Sequence, residues 1–170
     1  QSLMWEEFYN SAVMGLGWDY LGNLADYSTR ESIEAKMREI RGDGIHPKND
    51  SKAVWEFLHD VQIGDVVYVK KGTKRIVGRG IVTSDYYFDN SSNSYKHRRT
   101  VDWTNKGEWD LRDAIAQKTL TKFNQSTDWI DYAERLINGE EIPDEKTKFI
   151  KQFELWLANQ KLPSGEVMDE

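Results

Sequence analysis

Three aromatic residues in a row, Tyr86, Tyr87 and Phe88, stand between Asp85 and Asp89 at the end of an apolar stretch. Side by side, they fit neither the alternation of a half-buried strand nor the spacing of a helix face. What such a run offers is flat π surface. Flat surface stacks on planar ligands, nucleobases above all, at about 1–3 kcal/mol per stacked base. Core packing is the plain alternative for any aromatic side chain. It accounts for Trp5, Trp55, Trp109, Trp129 and Trp156, which lie in or beside helical apolar patterns. Trp18 differs, because it stands between Gly17 and Asp19 at the mouth of a turn-rich segment, where a glycine lets backbone approach a partner. Sharing one rim, Trp18 and the 86–88 run would form two walls of an aromatic slot. Arg99 belongs by period two to the face of Val101 and Trp103, so its guanidinium is directed to the covered side of its strand. There it requires a carboxylate (Asp19, Asp85 or Asp89) or else a phosphate or a base edge.

Bond-breaking chemistry finds little to work with. The stretch KKGTKR at 70–75 lacks the spacing of a phosphate loop, and the two glycines of GRG at 78–80 are too few for a dinucleotide fingerprint. Cysteine is absent, which removes thiol nucleophiles, disulfides and thiolate metal sites. His46, His59 and His97 fall on three separate elements and read as surface or helix-end residues. The triplets EAK at 34–36 and DEK at 144–146 have the composition of a divalent-metal nuclease site, but neither follows an acidic strand. No catalytic residue, no metal and no cofactor is expected.

The elements that must position these residues follow from pattern. The 170-residue chain has 38% apolar residues and a net charge of −6, enough for one domain with a proper core. No apolar run is long enough to span a membrane and no leader pattern opens the chain, so a cytoplasmic protein is expected. Gln1, Ser2 and Leu3 read as foreign to the fold. A short helix is predicted over MWEEFYNSAVM and a strand over VMGLGW. Ser28 with Glu31 predicts a capped helix from Thr29 to Ile40. A third helix follows, capped by Asn49, Asp50 or Ser51. Then DVVYVKK and RIVGRGIVTS predict a hairpin turning at Gly72-Thr73, with Gly78 and Gly80 marking a bulge or a close approach. KHRRTVDWT predicts a third strand. Helices are predicted over 110–116, over 127–138 and from Pro143 to about Gln160, before an acidic tail. The result is an α+β fold: a small curved antiparallel sheet or part-barrel packed with helices. Cations gather at 70–79 and at 96–99, so a basic rim on an acidic protein is one expectation, and soluble hairpin charges are the other.

Four segments in order, GLGWDYLGNLADY, AVWEFLHDVQIGDVVYVKKGTKRIVGRGIVTSDYYFD, YKHRRTVDW and KTLTKF, resemble the N-terminal module of McrB-type AAA+ GTPases. Those are the DNA-binding subunits of modification-dependent restriction systems, and the module is similar to EVE and, more distantly, YTH domains of the PUA-like fold. The resemblance implies a non-catalytic modified-base-binding domain over residues 4–140. Residues 141–170 would then be a helix and acidic linker toward a motor. It implies that Trp18 stacks on a flipped base and that the Asp85–Tyr95 loop supplies the opposite wall through Tyr86 or Tyr87, with Tyr95 in reserve. Asp19 would read the base edge, Arg99 would organise the rim, and Trp103 would pack in the core. Lys70, Lys71, Lys74, Arg75, Lys96 and Arg98 would hold phosphates. The implied partners are DNA with a modified base, with RNA left open, then a AAA+ motor and a nuclease subunit. Relatives usually begin with an additional strand that ends in a Pro-Gly turn, which this sequence lacks. The sheet edge left by that departure supports an alternative, a protein-interaction or oligomerisation module.

Overall fold

One long strand organises the sheet. In the computed structural model, which describes residues 2–123 and 126–159, strand β5 runs from His97 to Asp110. Its neighbours are β1 (Val13–Leu16), β2 (Val66–Lys70), β3 (Arg75–Val82) and β4 (Tyr87–Phe88), all antiparallel, in the order β1-β5-β3-β2 with β4 beside the start of β5. Curling follows from two register shifts in the β3–β5 ladder, at Ile76/Gly78 and Arg79/Gly80. The glycines there admit large rings. A Cβ at Gly78 would overlap the Trp5 ring, and one at Gly80 would lie 2.6 Å from Trp103. The close approach expected of this strand is thus made by the protein's own tryptophans.

Each face of the sheet has its own cover. Leu16 and Met14 alternate with Gly15, so they point to one side of the sheet and Gly15 to the other. On the Leu16 side lie helices α2 (Arg30–Arg41) and α3 (Lys48–His59) and two short 3₁₀ turns, Asp19–Leu21 and Leu24–Asp26. Leu16, Leu21, Leu24, Ile33, Met37, Val54 and Phe57 form the core there. On the Gly15 side, helix α1 (Ser2–Asn10) sets Phe8 against Gly15. Ser2 and Leu3, read as foreign to the fold, join that helix.

Several expectations shift. The cap of α2 is Thr29, whose hydroxyl accepts the Ser32 N–H at 3.2 Å, rather than Ser28. Helix α3 starts after Pro47 with no side-chain cap, and Ser51 is buried, bonded to Glu34 and Arg30. Of the three consecutive aromatics, Tyr87 and Phe88 form β4 and Tyr86 precedes it. No helix forms over 110–116. Asp110 is the last residue of β5, and the N–H groups of Leu111 and Ile115 donate to Lys74 and Thr73 at 2.8 Å each. The hairpin turn therefore takes the donors that a helix would have turned on itself.

The chain divides into two compact units between Lys122 and Phe123, ahead of residue 140 where a boundary was expected. The second unit contains α4 (Thr127–Asn138), which ends on Gly139 at φ 68, and α5 (Glu145–Asn159). Asp144 begins α5, its carboxylate accepting the Thr147 N–H at 2.6 Å. The expected acidic tail lies outside the described residues. No described helix is long and apolar enough to cross a membrane.

Candidate recognition site

Strand β5 begins at a histidine that organises its surroundings. His97 is fully buried, contrary to its reading as a surface or helix-end residue. Its Nε2 lies 3.1 Å from the Trp18 carbonyl and its Nδ1 lies 3.0 Å from the Tyr86 hydroxyl. A carbonyl only accepts, so Nε2 carries the proton. In the neutral ring Nδ1 then accepts from Tyr86, whose oxygen in turn accepts the Leu24 N–H at 3.0 Å. Burial holds the His97 pKa below its ordinary 6.5, against the pull of the Trp18 carbonyl and Asp19, so the ring stays neutral. Burial likewise raises the Tyr86 phenol.

This network fixes the Trp18 turn. Trp18 sits in the left-handed region at φ 64, ψ 38, a conformation that costs a bulky residue about 1–2 kcal/mol. Its carbonyl is held by His97 and by the Leu21 N–H at 2.9 Å. Asp19 completes the clasp by accepting the Lys96 N–H at 2.8 Å. Trp18 and Tyr86 both pack, half-buried, against the helical core.

The residues expected to form one slot divide between the faces of the sheet. Trp18, Asp19, Tyr86 and Lys96 meet around His97, and Phe88 lies beside it with ring centroids 5.2 Å apart. Tyr87 is the register partner of Arg98, on the opposite face. Tyr95, at φ 52, gives its carbonyl to Arg98 Nε and meets Phe8 edge-on. Tyr87 and Tyr95 are each 37% exposed but do not face Trp18 across a slot.

Arg99 is buried as expected, yet its hydrogen bonds go to backbone carbonyls rather than to a carboxylate. It donates to the carbonyls of Phe57 (3.0 Å), Leu58 (2.9 Å) and Ser84 (3.2 Å). Two of these close the last turn of α3, where a cation also meets the negative end of the helix dipole. The other cations are largely occupied. Lys70 donates to the Ala116 carbonyl at 2.6 Å, and burial lowers its pKa. Lys71 pairs with Glu108, Arg75 with Glu108 and Asp110, and Arg98 with Asp89 and Glu7. Hydrogen bonds from Ser91 and Ser92, with Arg98 nearby, hold Asp89 down at about 2. Among the described residues, only Lys74 and Lys96 of the six expected phosphate ligands have no ion pair or hydrogen bond through their side chains. No group of three or more His, Cys, Asp or Glu is placed to hold a metal among those residues.

The class these features define is an α+β domain with a curled antiparallel sheet, helices on both faces and an aromatic–histidine clasp at the end of its longest strand. A family model described as a domain of unknown function (DUF8426) matches residues 1–127, and the chain belongs to that family. No curated protein and no solved structure matches the chain.

Proposed function

We propose that this protein is a PUA-like, non-catalytic recognition domain that binds DNA carrying a modified base. In that reading it is the specificity module of a modification-dependent restriction system. The observation that carries the reading is the convergence of the Trp18-Asp19 turn, Tyr86, Phe88 of β4 and the Lys96 backbone on buried His97. The Trp18-Asp19 turn and the Asp85–Tyr95 loop are the segments that the resemblance assigns to a base cage, and Lys96 is one of the cations it assigns to phosphates. Trp18 supplies one stacking face, held in a costly backbone conformation by a buried network. Residues 141–170 would pass the signal to a AAA+ motor and a nuclease subunit in the cytoplasm.

The test is fluorescence-anisotropy binding to matched duplexes, unmodified and with single modified bases. A modified duplex is expected to bind more tightly, and Trp18→Ala to weaken it by about 1–3 kcal/mol. Unchanged affinity in the folded variant removes Trp18 from the site.

A second reading, a protein-interaction or oligomerisation module, rests on α5. Phe149 is 69% exposed, Leu155 61% and Trp156 56%, an apolar display of the kind that marks contact surfaces. Salt separates the readings, because a contact through phosphates weakens as ionic strength rises and an apolar protein contact does not.

A further inference from the structure

A notch opens where β1 stops pairing with β5. Ala12, at φ 53, turns the chain from α1 toward β1, and its carbonyl accepts the Val101 N–H at 2.9 Å. Beyond that bond β5 continues to Asp110 with β3 on one edge and no described strand on the other. The notch is an open cleft of about 500 Å³ whose lining includes Tyr9, Trp103, Val101, Thr83, Thr100 and Asp102.

Its aromatic walls are pre-set. Trp5 meets Tyr9 edge-on with centroids 5.6 Å apart and Trp103 edge-on at 4.8 Å. The Trp103 indole N–H donates to the Phe8 carbonyl at 3.1 Å. Neither ring must be ordered by a ligand, which removes part of the cost of binding.

The charge in the cleft is one-sided. No ion pair or hydrogen bond among the described residues engages the Asp102 carboxylate. Other acids of this face are satisfied: Glu6 by Lys106 at 2.7 Å, and Glu7 and Asp89 by Arg98. Lys106, the cation beside the cleft, is thus neutralised, and its ammonium lies 4.5 Å over the Tyr9 ring. That contact already places the protein's own ammonium on one face of the Tyr9 ring, so a ligand meets only the part of Tyr9 that Lys106 leaves open, together with Trp103. Asp102 stands on the exposed face of β5 and Trp103 on the covered one, and both line the cleft at the open edge between them. An anion there would meet an unpaired carboxylate, whereas an ammonium with apolar substituents would have the carboxylate on one side and aromatic surface on the other. The Thr83 and Thr100 hydroxyls, 2.7 Å apart, satisfy one another and leave one O–H over for a polar substituent.

We propose that this cleft is a binding site for an organic ammonium group, with Asp102 as its counter-ion and Tyr9 and Trp103 as its aromatic walls. The site is separate from the His97 clasp and does not depend on DNA binding. The ammonium comes either from a free small amine or from a methylated lysine side chain, in which case the peptide would run along the open edge of β5.

Titration of the whole chain with tetramethylammonium chloride, followed by the Trp103 indole N–H resonance, tests the proposal. A saturable shift is expected, absent with the uncharged isostere tert-butanol at equal concentration. Asp102→Asn should weaken binding about 3- to 5-fold, as for an exposed ion pair, without loss of fold, since its carboxylate holds nothing in place. A second arm uses a capped pentapeptide centred on trimethyllysine. Binding at least ~10-fold tighter than tetramethylammonium identifies a peptide source, and equal binding a free amine. No saturable shift, equal response to tert-butanol, or full affinity in Asp102→Asn overturns the proposal.

Discussion

His97 carries more of this structure than any other single side chain, and its protonation state can be read from its partners. Protonation would put a second N–H on the ring, facing a Tyr86 hydroxyl that already accepts the Leu24 N–H. The phenol proton would then need a new acceptor. Burial lowers the folded pKa of His97 below 6.5, while Asp19 and the Trp18 carbonyl oppose the shift. The unfolded chain therefore binds the proton first as pH falls. Stability should decline as pH drops through about 6.5 and level off below the folded pKa. Urea unfolding between pH 7.5 and 5 should show that slope, and His97→Asn should flatten it. The depressed carboxyl of Asp89 does not interfere, since its contribution is lost only below its ordinary 3.8, as pH falls toward about 2. Sequence pattern singled out Trp18 and Tyr86 but passed over the residue joining them. Inside KHRR, His97 looks like one more charge of a basic run. Its burial depends on β1 and β4 pairing on either side of it, with Leu16 and Phe88 as register partners, and no local spacing carries that information.

At the scale of elements, pattern did best where one residue type has one physical meaning. Gly78 inside an apolar strand predicted a bulge or a close approach, and both occur. Gly78→Ala should therefore destabilise by about 1–3 kcal/mol, the usual cost of overfilling a packed site, because the Trp5 ring has to move. Denaturant midpoints measure this, and Gly17→Ala, where a Cβ meets nothing, is the control. Pattern failed over 105–116, where the predicted strand ended at Thr104 and a helix was predicted over 110–116. Instead β5 continues, because Trp109 folds back over Gly107, 2.7 Å from where a Cβ would stand, and Arg75 pairs with both Glu108 and Asp110. Those partners are 33 and 35 residues apart in sequence. The capping of α3 by Arg99 is equally long-range, from 41 and 42 residues away.

For the molecule as a whole, charge decides between the two readings of its function. The sequence has 23 cations against 29 acids, and the run of five cations over 70–79 suggested a rim that could follow a phosphate backbone. Folding consumes much of that rim, because the antiparallel register lays Glu108 and Asp110 beside Lys71 and Arg75. Arg98 is buried between Glu7 and Asp89. Six phosphate contacts would give a slope of log K against log salt near −5 on duplex DNA, and the two of those six cations without a partner among the described residues, Lys74 and Lys96, near −2. The shallower slope is expected from this structure, measured with the modified duplex that binds best. A slope near −5 would mean that the ion pairs with Glu108, Asp110, Glu7 and Asp89 open on contact, so that binding energy is spent against about 0–1 kcal/mol for each exposed pair of Lys71 and Arg75 and against more for those of buried Arg98. A slope near zero would remove the phosphates from the interaction altogether. The exposed apolar residues of α5 would then be the surface left to explain what this protein holds.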